Sequence, residues 1–154
     1  MKKVAILTLI LAGLTGFQVH AATGTAKAQM KVLAALNITK TSDLVFSEAA
    51  AGALAETVLP ETTETAQNAS FTITGEPNRA ITINLPTDGT VVMRKGAGGT
   101  ADTEVAVNSF AMSPMTNIDS SGTSILYVGA TRADLSVTQE GGDYEADFDV
   151  EVIY

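Results

Sequence analysis

The chain has 154 residues with no cysteine, no tryptophan and one histidine, and its 17 acids outnumber 9 lysines and arginines for a formal charge of −8. Without thiols it has no disulfide, thiolate metal site or cysteine nucleophile, so packing and strand pairing must hold it. All 17 acids lie beyond Lys40, where only Arg79, Arg94, Lys95 and Arg132 oppose them, and this balance of 4 against 17 excludes the basic surface that nucleic acid or anionic lipid requires.

Met1-Lys2-Lys3 is a short basic region, Val4 to Phe17 is apolar, and Val19-His20-Ala21 ends in a small residue. This is the pattern of a secretory signal peptide, so residues 1–21 are expected to be removed, with cleavage after Ala21 or Ala22. The apolar stretch falls short of the roughly 20 residues that cross a bilayer, and no later stretch is apolar enough to span one. The mature chain, roughly 130 residues, is one domain's worth. His20 leaves with the signal, so the mature chain has no imidazole for a Ser-His-Asp triad or a transition-metal site, and the reading is of a non-enzyme without metal or cofactor.

Residues 22–37 form an arm. Ala26, Ala28, Met30, Val32, Ala34 and Leu36 alternate with polar positions that include Lys27 and Lys31, a period of two that predicts a strand with one buried face. The arm is either the first strand of its own domain or a strand that leaves to fill a gap in a neighbour by strand addition.

The domain proper is placed at 38–154. Asp43 to Phe46 reads as a short strand, and the Ala-rich stretch from Glu48 to Leu59, interrupted by Gly52 and closed by Pro60, as a loop. Ala69 to Thr74 alternates as a strand, and Gly75-Glu76-Pro77-Asn78 is a turn by composition. Ala80 to Leu85 follows, and Asp88-Gly89 signals a hairpin into Thr90 to Met93. Glu104 to Met112, Thr123 to Val128 and Leu135 to Thr138 complete the series before the last segment. There Tyr144, Ala146, Phe148, Val150, Val152 and Tyr154 share one face, and Glu145, Asp147, Asp149 and Glu151 the other. Short strands with turn signals at regular spacing and little helical periodicity predict an all-β sandwich, with a closed barrel as the alternative.

Other candidate chemistry reads as structural. The glycine-rich 96–99 lacks the Lys-Ser/Thr of a phosphate loop. Acids alternating along the last strand describe a solvated face better than a glycosidase pair, and they discourage edge aggregation. Met93, Met112 and Met115 read as core filling.

The stretch ASFTITGEP at 69–77, INLP at 83–86, LYVGAT at 126–131 and GDYEADFDVEVIY at 142–154 resemble a family of small secreted bacterial proteins. That family is catalogued as a domain of unknown function and is similar to chaperone–usher pilin subunits. Ser47 and Ala146 stand where the resemblance leads one to expect glycine. The resemblance implies an immunoglobulin-like sandwich lacking one strand, a periplasmic chaperone and outer-membrane usher as partners, and assembly with other copies by donor-strand exchange into a surface filament. Tyr144, Phe148, Val150, Val152 and Tyr154 would then form the acceptor's last strand. The outward Lys27 and Lys31 of one copy would face Glu145, Asp147, Asp149 or Glu151 of the next, at about 0.2–1 kcal/mol per pair. Burial of Met30, Val32 and Leu36, at about 1.5–3 kcal/mol each, would supply most of the attraction. The alternative is a monomeric secreted β-sandwich binding module whose arm completes its own fold.

Overall fold

A computed structural model describes residues 22–154 except Gly98. The expected signal peptide, 1–21, lies outside the described residues. Residues 22–31 belong to one unit and have no regular secondary structure, with every side chain exposed. Val32–Tyr154 is the second unit, the body.

The body is all-β. Its strands are β1 (Asn37–Ser42), β2 (Glu56–Val58), β3 (Ala69–Thr74), β4 (Thr82–Asn84), β5 (Val91–Arg94), β6 (Glu104–Met112), β7 (Thr123–Arg132) and β8 (Glu151–Ile153). One antiparallel sheet runs in the order β1-β3-β7-β6-β5 with β2 also on β7, and a second sheet pairs β4 with β8. β7 is long enough to take two partners along one edge, β3 beside its first half and β2 beside its end.

Alternation positions the core. Ala69, Phe71 and Ile73 of β3 join Leu126 and Val128 of β7, with Ile81 and Ile118 from the flanking connections, in one buried cluster. Val91, Val107 and Ala130 form a second, and Leu44, Phe110 and Phe148 pack against both. Met112 and Met115 pack against the first cluster and Met93 against the second, where an unbranched thioether fills irregular space.

Several local expectations shift. The first strand is not 43–46 but the more polar Asn37–Ser42, paired with β3 and bulged between Lys40 and Ser42. The stretch 48–59 is not all loop, because β2 forms there against β7. Residues 135–138 form no strand: Ser136 and Thr138 instead aim their hydroxyls at Asp102 Oδ1, at 3.1 and 2.6 Å, a side-chain alternative to a ladder. The last strand is laddered only over Glu151–Ile153.

Candidate functional site

The C-terminal segment crosses from one sheet to the other. Glu151–Ile153 pairs with β4, and Glu145 makes an isolated bridge to Arg94 of β5, with N···O distances of 2.9 and 3.1 Å. Between these anchors residues 146–150 belong to no ladder or bridge. β1, at the edge of the large sheet, pairs with β3 alone. The outer edge of β1 and residues 146–150 therefore have no ladder partner among the described residues, the feature that invites strand addition.

A groove of about 960 Å³ lies between them. One wall is Lys40, Ser42, Asp43 and Leu44, the other residues 143–148 with β5, and the core residues Ala69, Phe71 and Val91 reach its lining. A second recess of about 460 Å³ shares Leu44, Met93, Asp143, Tyr144 and Glu145 with the groove. It is also lined by Arg132, whose Nη2 reaches Leu54 O at 3.2 Å and Glu56 Oε2 at 3.6 Å.

Both ends of the segment are held by tyrosines. Tyr144 Oη accepts Gln139 Nε2 at 2.8 Å and stands 2.7 Å from Glu140 O and 2.9 Å from Asp102 O, which compete for its proton. Tyr154 Oη donates to Ala34 O at 2.7 Å and accepts Glu76 N–H at 2.8 Å. Between them the apolar face turns inward, with Phe148, Val150 and Val152 packed on the core. Glu145, Asp147, Asp149 and Glu151 are exposed, as is Ala146. Period-two burial thus persists where no ladder imposes it, because side-chain packing alone selects the face.

The groove's charge is predominantly negative. Lys40 is held protonated above its ordinary pKa, first by its hydrogen bond to Asp43 at 2.6 Å and that carboxylate's charge, with a smaller contribution from Asp147. Arg94 is engaged by Glu104 at 2.8 Å.

The arm residues lie as follows. Ala26, Ala28, Lys27, Lys31 and Ala34 are exposed, and so are Met30 at 86% and Val32 at 76%. No residue from 22 to 36 is in a strand. Leu36 is half-buried on the body's own core, and Leu33, which the alternation put on the polar side, is half-buried too. With the half-buried Leu33 and Leu36 three positions apart, packing over 32–36 selects no alternating face. The sequence reading also missed the groove's floor, Ala69, Phe71 and Val91. These are ordinary inward positions of β3 and β5, and nothing local distinguishes a core residue beneath a gap from one beneath a strand.

No curated protein and no solved structure matches the chain. The model of the family described as Domain of unknown function (DUF4402) matches residues 47–154, from the loop before β2 to the last residue, and the chain belongs to that family.

Proposed function

We propose that the chain is a structural subunit of a bacterial surface filament, in which the N-terminal arm of one copy fills the groove of the next. The reading rests on one observation above all: residues 146–150 pair with no strand, and beside them lies an open groove that reaches Phe71 and Val91 of the core. An extended segment added there would meet free N–H and C=O groups and an apolar floor together, as strand addition requires.

Polarity supports it. The arm's root at Ala34 is bonded to Tyr154. Asn37 at the start of β1 pairs with Thr74, whereas Ser42 at its other end pairs with Ser70 and leads to the groove wall. The arm departs at one end of β1 and the groove lies at the other, so insertion joins copies head to tail, a heterologous contact that propagates. Lys27 and Lys31 bring positive charge to an acidic wall. The resemblance to chaperone–usher subunits drawn from the sequence leads us to propose also a periplasmic chaperone that covers the groove in transit and an usher for export. Both are proposed partners, as is the cell-surface location.

Polymer yield in full-length variants tests the reading. Val32→Asp and Met30→Asp place a carboxylate on the inserted apolar face and are expected to abolish filaments, whereas Lys27→Glu with Lys31→Glu only slows their formation. Undiminished filaments from Val32→Asp would overturn it. A mature chain that stays monomeric, with its arm protected from protease, would instead be a binding module complete in itself.

A further inference from the structure

Ala34 continues the arm's alternating face, yet both of its main-chain polar groups are taken by the body. Its N–H donates to Glu76 Oε2 at 3.1 Å, and its carbonyl accepts the Tyr154 hydroxyl at 2.7 Å. The same Tyr154 oxygen accepts Glu76 N–H at 2.8 Å, which closes a ring of hydrogen bonds among the three residues. Two residues on, Leu36 packs against the cluster of Phe71, Ile73, Ile118 and Leu126.

Gly75 makes this approach possible. A Cβ there would stand 2.5 Å from Tyr154 Oη, 2.6 Å from Ile118 Cδ1 and 3.1 Å from Leu36 Cδ1. The turn before Pro77 therefore carries a glycine where the C-terminal tyrosine and the arm's root converge. A backbone unit with donor and acceptor both engaged at home cannot join a ladder in another molecule without breaking those bonds, and withdrawing Leu36 would open the core.

We propose that this clamp divides the arm: residues from Ala34 onward stay with their own domain, and the strand given to a second copy of this chain ends at Leu33. The inserted face is then Ala26, Ala28, Met30 and Val32, without Ala34 and Leu36. This inference rests on the filament reading and names the part of the partner that enters the groove. It has a geometric consequence. β1 begins at Asn37, so no flexible linker separates the inserted strand from its parent body, and adjacent bodies meet at the groove's mouth. Tyr154 also ends the segment whose residues 146–150 receive the incoming strand, and at about 3.3 Å per residue the two contacts stand roughly 15–25 Å apart. A single short segment links the strand each subunit receives to the one it gives.

The test uses the full mature chain as monomer and as filament. Met30→Ala is expected to leave the monomer's unfolding midpoint in place and lower the temperature at which filaments dissociate. Leu36→Ala is expected to lower the monomer midpoint and leave the filament's dissociation temperature unchanged. The opposite allocation, with Leu36→Ala weakening filaments but not the monomer, would overturn the division. Hydrogen exchange reads the clamp separately. In the monomer the amides of Ala34 and Glu76 should be protected, and Tyr154→Phe should speed their exchange about tenfold. Exchange at Ala34 as fast as at residues 24–31 in the wild-type monomer would overturn the clamp itself. A wild-type chain that never forms filaments, with Ala34 still protected, would remove the filament reading and leave the clamp.

Discussion

Phe148 meets Phe71 edge-on, with ring centroids 6.3 Å apart and planes at 76°. It also lies 5.1 Å from Phe110 at 48°, so the stretch that no strand pairs is fastened to the core by this aromatic side chain together with Val150. Phe148→Ala should cost about 2–3 kcal/mol, less than for a fully buried phenylalanine because its ring is half-exposed to the groove, and Phe148→Leu about 1 kcal/mol. Urea unfolding at neutral pH measures both, and a loss below about 0.5 kcal/mol in the alanine variant would show that the stretch is held by other means.

Gly129 of β7 is fixed by backbone rather than by side chains. A Cβ there would collide with Val58 O and lie 2.7 Å from both Leu59 C and Pro60 N, so Gly129→Ala forces β2 away from β7. The expected cost is about 3 kcal/mol or more. Gly89 is the useful contrast. It turns at φ +82 with no atom near its missing Cβ, so Gly89→Ala should cost only about 1 kcal/mol, from the positive φ alone. Thermal midpoints of the two variants should differ accordingly.

Asn68, fully buried, organises the connection from β2 to β3. Its Nδ2 donates to Pro60 O at 3.0 Å and Thr63 O at 2.9 Å, and its Oδ1 accepts Thr65 N–H at 2.8 Å. Asn68→Ala strands three main-chain groups and should cost about 3 kcal/mol, while Asn68→Asp keeps the acceptor but buries a charge and should be no better. Stability of Asn68→Ala within about 0.5 kcal/mol of wild type would contradict this role.

Acid should destabilise the body through identifiable carboxylates. Burial pushes the Glu56 carboxyl up, but hydrogen bonds from Ser47 and Gln67, together with the Arg132 charge, outweigh it and hold the group below its ordinary value. Glu104 is held low by the hydrogen bond from Arg94 and the Gly99 N–H, and Asp119 by the Ser121 hydroxyl and N–H. A depressed folded-state pKa contributes stability that is present above the unfolded value and lost as pH falls through the folded one. Unfolding midpoints should therefore hold from neutrality into mild acid and fall below the ordinary carboxylate range. Glu56→Gln should start lower at neutral pH and fall less steeply in acid, and an unaltered slope would assign the loss to Glu104 and Asp119.

Legibility in the sequence followed burial. Ala69–Thr74 and Glu104–Met112 are strands with the boundaries their alternation predicts, because each has a buried face. Asn37–Ser42 is an edge strand with half-buried Ile38 and Ser42 between exposed neighbours, so it has almost no apolar signal, while the apolar Leu44 and Phe46 just beyond it pack on the core without a ladder. β2 has three residues and exists through its pairing with β7, information that local composition does not carry. In the last segment the faces were legible and the ladder was not, since pairing depends on what lies alongside. The groove was not legible, because its floor residues Ala69, Phe71 and Val91 alternate like those of any core strand. The clamp joins Ala34, Glu76 and Tyr154 across 120 positions, and no local pattern connects them.

The most direct measurement is a denaturing gel of protein sheared from intact cells, loaded unheated beside a boiled sample. Strand exchange predicts a ladder at multiples of the mature mass that collapses to one band on boiling, since a chain with no cysteine has no disulfide to explain it and the links are kinetically locked and non-covalent. A single monomer band in both lanes would contradict the filament account.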